Sequence, residues 1–142
     1  MDGLPKILIV EDNIEIIELY LLTLRGNGYE VQTASNVEDA LDIAKSFQPD
    51  IIFLDIMLPG DKTGLDALMI LRTNQSYGCT KKRIIMLTNL GMSDKIRNEW
   101  EEYADGYVIK AEIVPHDLID IIKSFDQDSK TKNLADPKSP DL

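Results

Sequence analysis

The sequence predicts an α/β domain built on one parallel five-stranded sheet with helices on both faces. Short apolar runs rich in Ile and Val alternate with segments whose apolar residues recur at helical spacing. The central run, residues 51–54 (IIFL), is apolar throughout, as a strand buried on both faces requires. The length of 142 residues fits one domain with a sizeable core. Five strand–helix units give a (βα)5 chain, a doubly wound three-layer sandwich with right-handed crossovers.

The first unit begins with residues 6–10 (KILIV), a β-branched run that stops at Glu11 and Asp12. Asn13 or Asp12 can cap the helix that follows. The apolar stripe of this helix consists of Ile14, Ile17, Leu21 and Leu24. The Gly-Asn-Gly sequence at residues 26–28 ends the helix.

The second and third units repeat this pattern. Residues 30–34 predict a strand, and Asn36 caps a helix that ends near Pro49. The central apolar run is the third strand, and Asp55 follows it at the point where the strand emerges from the core. A loop containing Pro and Gly then leads into the third helix.

The last two units place two further polar groups after strands. Residues 84–87 predict the fourth strand and are followed by Thr88, and residues 106–109 predict the fifth and are followed by Lys110. Ser93 can cap the fourth helix. The apolar stripe of this helix consists of Met92, Ile96, Trp100 and Tyr103. Residues 115–125 predict the last helix.

Composition excludes several classes of function. A net charge of -10 argues against a direct nucleic-acid contact, because such binding depends on Lys and Arg. Cys79 is the single cysteine, so no internal disulfide is expected and a cytoplasmic setting is natural. No apolar run approaches membrane-spanning length, so no membrane partner is expected. Residues 126–142 are polar and aperiodic and predict a flexible tail.

The expected strand order is 2-1-3-4-5, as in flavodoxin-like folds, and it brings polar residues from four strands to one edge of the sheet. Strands 1 and 3 are neighbours in this order, so Glu11, Asp12 and Asp55 converge. Three carboxylates in one pocket repel each other unless a cation is present, and an all-oxygen ligand set suits Mg²⁺. The alternative is that these acids only cap a helix and a loop. Thr88 and Lys110 add a hydroxyl and an ammonium, which fits phosphoryl transfer to Asp55.

This set resembles the receiver domain of two-component response regulators. The resemblance covers about residues 5 to 125, so a receiver domain is expected over residues 1–125 and the tail over 126–142. It rests on acids after the first and third strands and on a hydroxyl and an amine after the fourth and fifth, namely Glu11, Asp12, Asp55, Thr88 and Lys110.

The resemblance implies a role for each of these positions. Asp55 would be the phosphoacceptor, with Thr88 and Lys110 contacting the phosphoryl oxygens. The Mg²⁺ ligands would be Glu11, Asp12, Asp55 and the backbone carbonyl of Met57. Thr88 and Tyr107 would be the switch residues: the Thr88 hydroxyl would rotate toward the phosphoryl oxygens, and the inward or outward rotamer of Tyr107 would report the state.

The resemblance also implies partners. The phosphoryl donor would be a histidine kinase, a histidine phosphotransfer protein or a small acyl phosphate. The output would be contact with a downstream protein or phosphorelay, in a monomer or a phosphorylation-dependent dimer. A stand-alone receiver is expected, which catalyses only its own phosphorylation and dephosphorylation.

Two other functions stay open. One is a receiver-like interaction module that is not phosphorylated, which Asn89 after the switch hydroxyl and Ala111 after Lys110 keep under consideration. Receivers commonly have a proline directly after the conserved lysine, joined to it by a cis peptide bond. Here Ala111 follows Lys110, so the Lys110-Ala111 peptide bond is expected to be trans, with a shifted Lys110 loop. The other is an aspartate-nucleophile phosphatase of the haloacid-dehalogenase kind, which needs a second aspartate where Met57 stands.

Overall fold

The computed structural model describes residues 3–89 and 94–127. The strands are β1 (Ile7–Val10), β2 (Val31–Ala34), β3 (Ile51–Asp55), β4 (Arg83–Thr88) and β5 (Gly106–Ile109). The helices are α1 (Ile14–Gly26), α2 (Val37–Phe47), α3 (Gly64–Thr73), α4 (Asp94–Trp100) and α5 (His116–Gln127). Short 3-10 helices follow at Gln75–Tyr77 and Lys110–Glu112.

The five strands form one parallel sheet in the order β2-β1-β3-β4-β5, which confirms the predicted fold and strand order. The register pairs Val10 with Leu54 and Asp55 with Leu87, so strands β1, β3 and β4 end at nearly the same height. The residues that follow them therefore share one edge, here called the carboxyl edge. The opposite edge, where the strands begin, is the amino edge.

The core consists of two apolar layers, one on each face of the sheet. Alternate residues of β3 serve the two layers: Ile52 and Leu54 face α2 and α3, whereas Ile51 and Phe53 face α1 and α5. Every residue of β3 is buried, as the continuous apolar run predicts for a central strand. Asp55 continues this strand and is therefore fixed by the core beneath it.

Polar residues cap the first three helices, and two of these caps, Asn13 and Asn36, were predicted from the sequence. The side chain of Asn13 accepts from the Ile16 N–H at 3.1 Å and caps α1. Asn36 likewise accepts from the Asp39 N–H at 2.8 Å and caps α2. Thr63 and Asp66 form a reciprocal capping box at the start of α3. Because Asn13 serves as the cap, Asp12 is left available at the carboxyl edge.

The structure corrects several details of the sequence analysis. Ile14, expected on the buried stripe of α1, is 69% exposed, because the first turn of this helix lies at the carboxyl edge beyond the end of β1. Tyr20 and Leu24 are the buried residues of α1. Helix α4 ends at Trp100, so Tyr103 lies beyond it. Met92 and Ser93 lie outside the described residues.

The last helix is slightly longer than predicted. Helix α5 continues to Gln127, two residues past its predicted end at 125. Of the predicted tail, residues 128–142 lie outside the described part of the chain. No helix within residues 3–89 and 94–127 is long and apolar enough to cross a membrane.

Candidate functional site

Asp55, the last residue of β3, forms the centre of the carboxyl edge. Its residue exposure is 1%. One carboxylate oxygen, Oδ1, accepts from the Met57 N–H at 2.9 Å, and the other, Oδ2, accepts from the Lys110 ammonium at 2.8 Å. Lys110 reaches it from the end of β5, across β4. The carboxylate is thus held in one orientation from two sides.

Glu11, the first residue after β1, is fully buried beside Asp55. Its Oε1 accepts from the same Lys110 ammonium at 2.9 Å, and its Oε2 accepts from the Asn13 N–H at 3.0 Å. Lys110 therefore bridges two buried carboxylates. The resemblance predicted that Lys110 lies near Asp55, and the structure also shows its second bond, to Glu11.

Asp12 completes an acidic cluster with these two residues. One carboxylate oxygen from each of Glu11, Asp12 and Asp55 can be chosen so that all three lie within 4.8 Å of one another. Asp12 is exposed, whereas the other two are buried, so the cluster opens to solvent on the side of Asp12. Three carboxylates facing one ammonium leave excess negative charge, and a cluster of hard oxygen donors with one open side fits Mg²⁺.

The electrostatics of the pair reflect this crowding. Burial raises the pKa of the Glu11 carboxyl, and the negative charge of Asp55 raises it further, while hydrogen bonds from Lys110 and the Asn13 N–H lower it only in part. Burial alone would lower the pKa of Lys110, but its hydrogen bonds to Asp55 and Glu11 outweigh burial and raise it. These shifts favour the protonated form of Lys110 and disfavour the charged form of Glu11.

Thr88 ends β4 next to Asp55 and is 5% exposed. Its hydroxyl donates to the backbone carbonyl of Asn89 at 3.0 Å. Asn89 itself is exposed. In this structure the Thr88 hydroxyl is thus engaged with its own neighbour in the chain.

The arrangement of buried acid, lysine and hydroxyl at adjacent strand ends agrees with one family of proteins. A family model described as the response regulator receiver domain matches residues 7–123. The chain belongs to the response regulator receiver family.

Curated relatives of this receiver are described as DNA-binding or transcriptional regulators. It is 27% identical over 135 residues to the DNA-binding response regulator MtrA of Mycolicibacterium paratuberculosis, covering 92% of this chain and 57% of that protein. It is 35% identical over 107 residues to the transcriptional regulatory protein AfsQ1 of Streptomyces coelicolor, covering 75% and 45%. The chain thus spans about half the length of these curated relatives.

Solved structures show the same fold. The chemotaxis response regulator CheY4 of Vibrio cholerae superposes on this receiver with a TM-score of 0.74 at 28% identity. The superposition covers 86% of this chain and 98% of that chain.

Three further expectations concern the Lys110-Ala111 peptide bond, the loop that carries Lys110, and Met57. No peptide bond in the described residues is cis, so the Lys110-Ala111 bond is trans, as expected. The expected shift of the loop does not remove Lys110 from the site, since its ammonium lies on Asp55 and Glu11. Met57 contributes its N–H to Asp55, while its side chain is 68% exposed. The proposed use of its carbonyl for a metal stays a prediction.

Tyr107, predicted as a switch residue, lies on β5 and is 6% exposed. Its hydroxyl accepts from Arg97 Nη1 on α4 at 2.8 Å, and its ring meets Trp100 edge to face. The sequence analysis placed Trp100 on the apolar stripe of the fourth helix but did not consider Arg97.

Two residues that lie near the site were not singled out from the sequence. A Cβ added to Gly64, the first residue of α3, would lie 1.9 Å from the backbone oxygen of Asp55, so only glycine lets this helix approach the site so closely. The glycine-containing loop was the available signal. Tyr20 on α1 is 5% exposed, and burial, followed by the negative charge of Glu11, raises its pKa to about 12. No sequence pattern distinguishes it from an ordinary stripe residue.

Proposed function

We propose that this receiver is a phosphoacceptor switch in a two-component or phosphorelay system and takes its phosphoryl group on Asp55. The observation that carries the proposal is the environment of Asp55. It is a buried carboxylate at the end of the central strand, oriented by Lys110 and the Met57 N–H and opening toward Asp12. A purely structural acid would not need two further carboxylates within 4.8 Å.

The reaction follows from the groups present. A carboxylate oxygen of Asp55 forms a bond to phosphorus, and the bond from phosphorus to the donor breaks, with its electron pair leaving on the donor atom. The product is an acyl phosphate on Asp55. Lys110, already at 2.8 Å from the carboxylate, is placed to contact a phosphoryl oxygen. The Thr88 hydroxyl reaches the phosphoryl group only by leaving the Asn89 carbonyl, and this exchange is the proposed first step of switching.

Mg²⁺ is the proposed cofactor, and the donor set fits it. Glu11, Asp12, Asp55 and the backbone carbonyl of Met57 would hold the ion. When bound, it supplies positive charge beside the acceptor and the incoming phosphoryl oxygens. Lys110 supplies the other positive charge described at this edge.

The proposed output is a protein contact or transfer to a further phosphorelay protein. The phosphoryl donor would be a histidine kinase, a histidine phosphotransfer protein or an acyl phosphate, and the protein would act in the cytoplasm as a monomer or a phosphorylation-dependent dimer. The receiver domain is proposed to span residues 1–125. As a signalling switch it would catalyse only its own phosphorylation and dephosphorylation. That it acts alone, without direct nucleic-acid contact, stays a prediction from the sequence.

The test is intact-mass analysis after incubation with acetyl phosphate, with and without Mg²⁺, on the wild type and on Asp55→Asn. One added phosphoryl group is expected on the wild type with Mg²⁺, and none without the ion or in the variant. A panel of histidine kinases replaces acetyl phosphate in a second arm. A folded wild type that takes no phosphoryl group from any donor would overturn the proposal in favour of the interaction module.

A further inference from the structure

Helix α1 carries more apolar residues than its contacts with the sheet and α5 require. Eight of its 13 residues are apolar, whereas only Tyr20 and Leu24 are buried. Leu19 and Leu22 are 53% and 74% exposed. A helix that is apolar on nearly all sides is normally covered on nearly all sides. The part of the chain that the structure describes leaves one side of α1 open to solvent.

The side of α1 that points away from the sheet is here called the outer face. It consists of five exposed residues that helical spacing brings together, Glu18, Leu19, Leu22, Arg25 and Gly26. Four of these residues, together with Leu21, line a groove of about 400 Å³. At Gly26 nothing lies within 4 Å of an added Cβ, so this end of the groove is open to a side chain from outside. The outer face thus offers both an exposed leucine and a groove that can receive one.

The outer face also carries one negative and one positive charge that do not pair with each other. Glu18 and Arg25 are seven residues apart, about 10 Å along the helix, which is too far for an ion pair within α1. Among the described residues neither side chain forms an ion pair. Arg25 Nη2 donates to the Val31 carbonyl at 2.9 Å, which holds the guanidinium at the end of the helix without neutralising it. Both charges are therefore available to a partner.

The positions of these two charges are self-complementary. Glu18 and Arg25 lie at equal distances from the midpoint between Leu21 and Leu22. When two copies of α1 pack antiparallel about a two-fold axis at this midpoint, Glu18 of each copy faces the partner's Arg25, and the leucines meet at the centre. A parallel pair would instead bring Glu18 against the partner's Glu18, a contact between like charges. The charge pattern therefore favours a second copy of this chain in the antiparallel arrangement.

From these features we propose that the outer face of α1 is the interface of a homodimer in which two copies of the helix pack antiparallel. Two ion pairs between the copies flank an apolar centre and offset part of the repulsion between two chains of net charge -10. A helix of 13 residues is about 20 Å long, so its face is smaller than the roughly 800 Å² per partner of a standard interface. The dimer is therefore weak, with a Kd on the order of 100 µM.

The test is sedimentation equilibrium of the full-length protein from about 10 µM to about 1 mM, a range that brackets the expected Kd. The wild type is expected to dimerise within this range. Leu22→Gln should raise the Kd by about tenfold or more, because it places an amide at the apolar centre. Val114→Gln is the matched control, since Val114 is 59% exposed but lies outside α1. Circular dichroism checks that each variant is folded.

Charge reversal tests the pairing between copies. Glu18→Arg and Arg25→Glu should each raise the Kd by about tenfold or more, since each places like charges at both ends of the interface. Glu38→Arg and Lys45→Glu are the matched controls, because they make the same changes of net charge at exposed positions of α2. A mixture of Glu18→Arg with Arg25→Glu should associate as tightly as the wild type, because every facing pair is then opposite in charge. The mixture has the same total charge as two wild-type chains, so their long-range repulsion is unchanged.

Three results would each overturn the dimer. They are a wild type that stays monomeric at about 1 mM, single charge reversals that behave like their controls, and a mixture that does not associate. A monomeric wild type whose phosphorylation by a histidine kinase, but not by acetyl phosphate, is slowed by Leu22→Gln would also overturn it and assign the outer face to the phosphoryl donor. The proposal goes beyond phosphorylation of Asp55 and does not depend on it. Asp55→Asn is expected to dimerise as the wild type does, so failure of either proposal leaves the other standing.

Discussion

At the amino edge of the sheet Asp105 is buried between two arginines, whereas at the carboxyl edge Glu11 and Asp55 are buried and share one lysine. Asp105 accepts from Arg72 at 2.7 Å, from Arg83 at 3.5 Å and from the Ile84 N–H at 2.9 Å. Its single negative charge is more than balanced.

At the carboxyl edge the balance of charge is the opposite, with negative charge in excess. Two carboxylates, those of Glu11 and Asp55, share the ammonium of Lys110, and a third, that of Asp12, lies in the same cluster. A buried acid that serves the fold is given enough partners to satisfy it, as Asp105 is. Acids left with excess charge next to an opening are arranged for something that binds. The comparison therefore distinguishes an acid that is satisfied within the fold from the acids that are proposed to bind an ion and a phosphoryl group.

The largest effect on stability is expected from removing the charge of Asp105 at the amino edge. Asp105→Asn leaves Arg72 and Arg83 without their shared anion and should lower the free energy of unfolding by about 3–5 kcal/mol. Asp55→Asn should cause a much smaller loss, because Lys110 keeps Glu11 and one repulsion is removed. Urea unfolding of both variants measures the difference. Equal losses would mean that the two edges do not differ in the way described.

The second prediction concerns Tyr20, which lies near the crowded acids. The folded pKa of about 12 exceeds the ordinary value of 10.0, so the folded state disfavours the phenolate. Burial of the neutral Tyr20 therefore contributes to the free energy of unfolding. This contribution is complete below pH 10 and is lost as pH rises through the folded pKa, by up to about 2.7 kcal/mol. Urea unfolding of the wild type and Tyr20→Phe from about pH 9 to about pH 12 should show the variant losing less stability. A constant difference across this range would contradict the assignment.

The third prediction tests how closely α3 approaches the site. Gly64→Ala should destabilise the protein by about 1–3 kcal/mol, because the new methyl group meets the Asp55 backbone. It should also slow phosphorylation by displacing Asp55. Gly26→Ala is the matched control, since no heavy atom lies within 4 Å of the added Cβ. Thermal unfolding and intact mass measure the two effects, and a Gly64→Ala protein as stable as Gly26→Ala would contradict the close approach.

The smallest effect on stability is expected from Mg²⁺ binding at the carboxyl edge, where negative charge is in excess. Mg²⁺ at ten times its dissociation constant should stabilise the wild type by about 1.4 kcal/mol, because the ion binds only the folded site. Asp12→Asn should lose most of this gain without unfolding, since Asp12 is exposed. Asp61→Asn, which removes an exposed carboxylate outside the cluster, should keep it. Thermal unfolding with and without Mg²⁺ gives the comparison, and equal stabilisation of both variants would exclude this metal site.

Much of the fold could be predicted because it depends on local patterns. The all-apolar residues 51–54 predict a central strand, and Asn13 and Asn36 predict helix starts that the structure confirms. The convergence of Glu11 and Asp55 followed from strand order alone. These features depend on periodicity and on which residue follows a strand, and both can be read along the chain.

The remainder depends on tertiary distances that no local pattern encodes. The bond between Arg97 and Tyr107 is set by how α4 lies over β5, and the need for glycine at position 64 is set by how α3 meets β3. Asp105 precedes a strand and has the appearance of an ordinary turn residue in the sequence. Its structural role depends on Arg72 and Arg83, which lie 33 and 22 residues away in sequence and contact it only in the folded chain.

The most direct test of the unbalanced carboxyl edge is to locate the phosphoryl group chemically. Borohydride reduces an acyl phosphate to an alcohol, so a phosphorylated aspartate becomes homoserine, which peptide mass analysis locates. After treatment with acetyl phosphate and Mg²⁺, homoserine is predicted at position 55 and at no other aspartate, Asp12 and Asp105 included. Homoserine at another position, or none in a folded protein that binds Mg²⁺, would contradict the assignment of Asp55 as the acceptor.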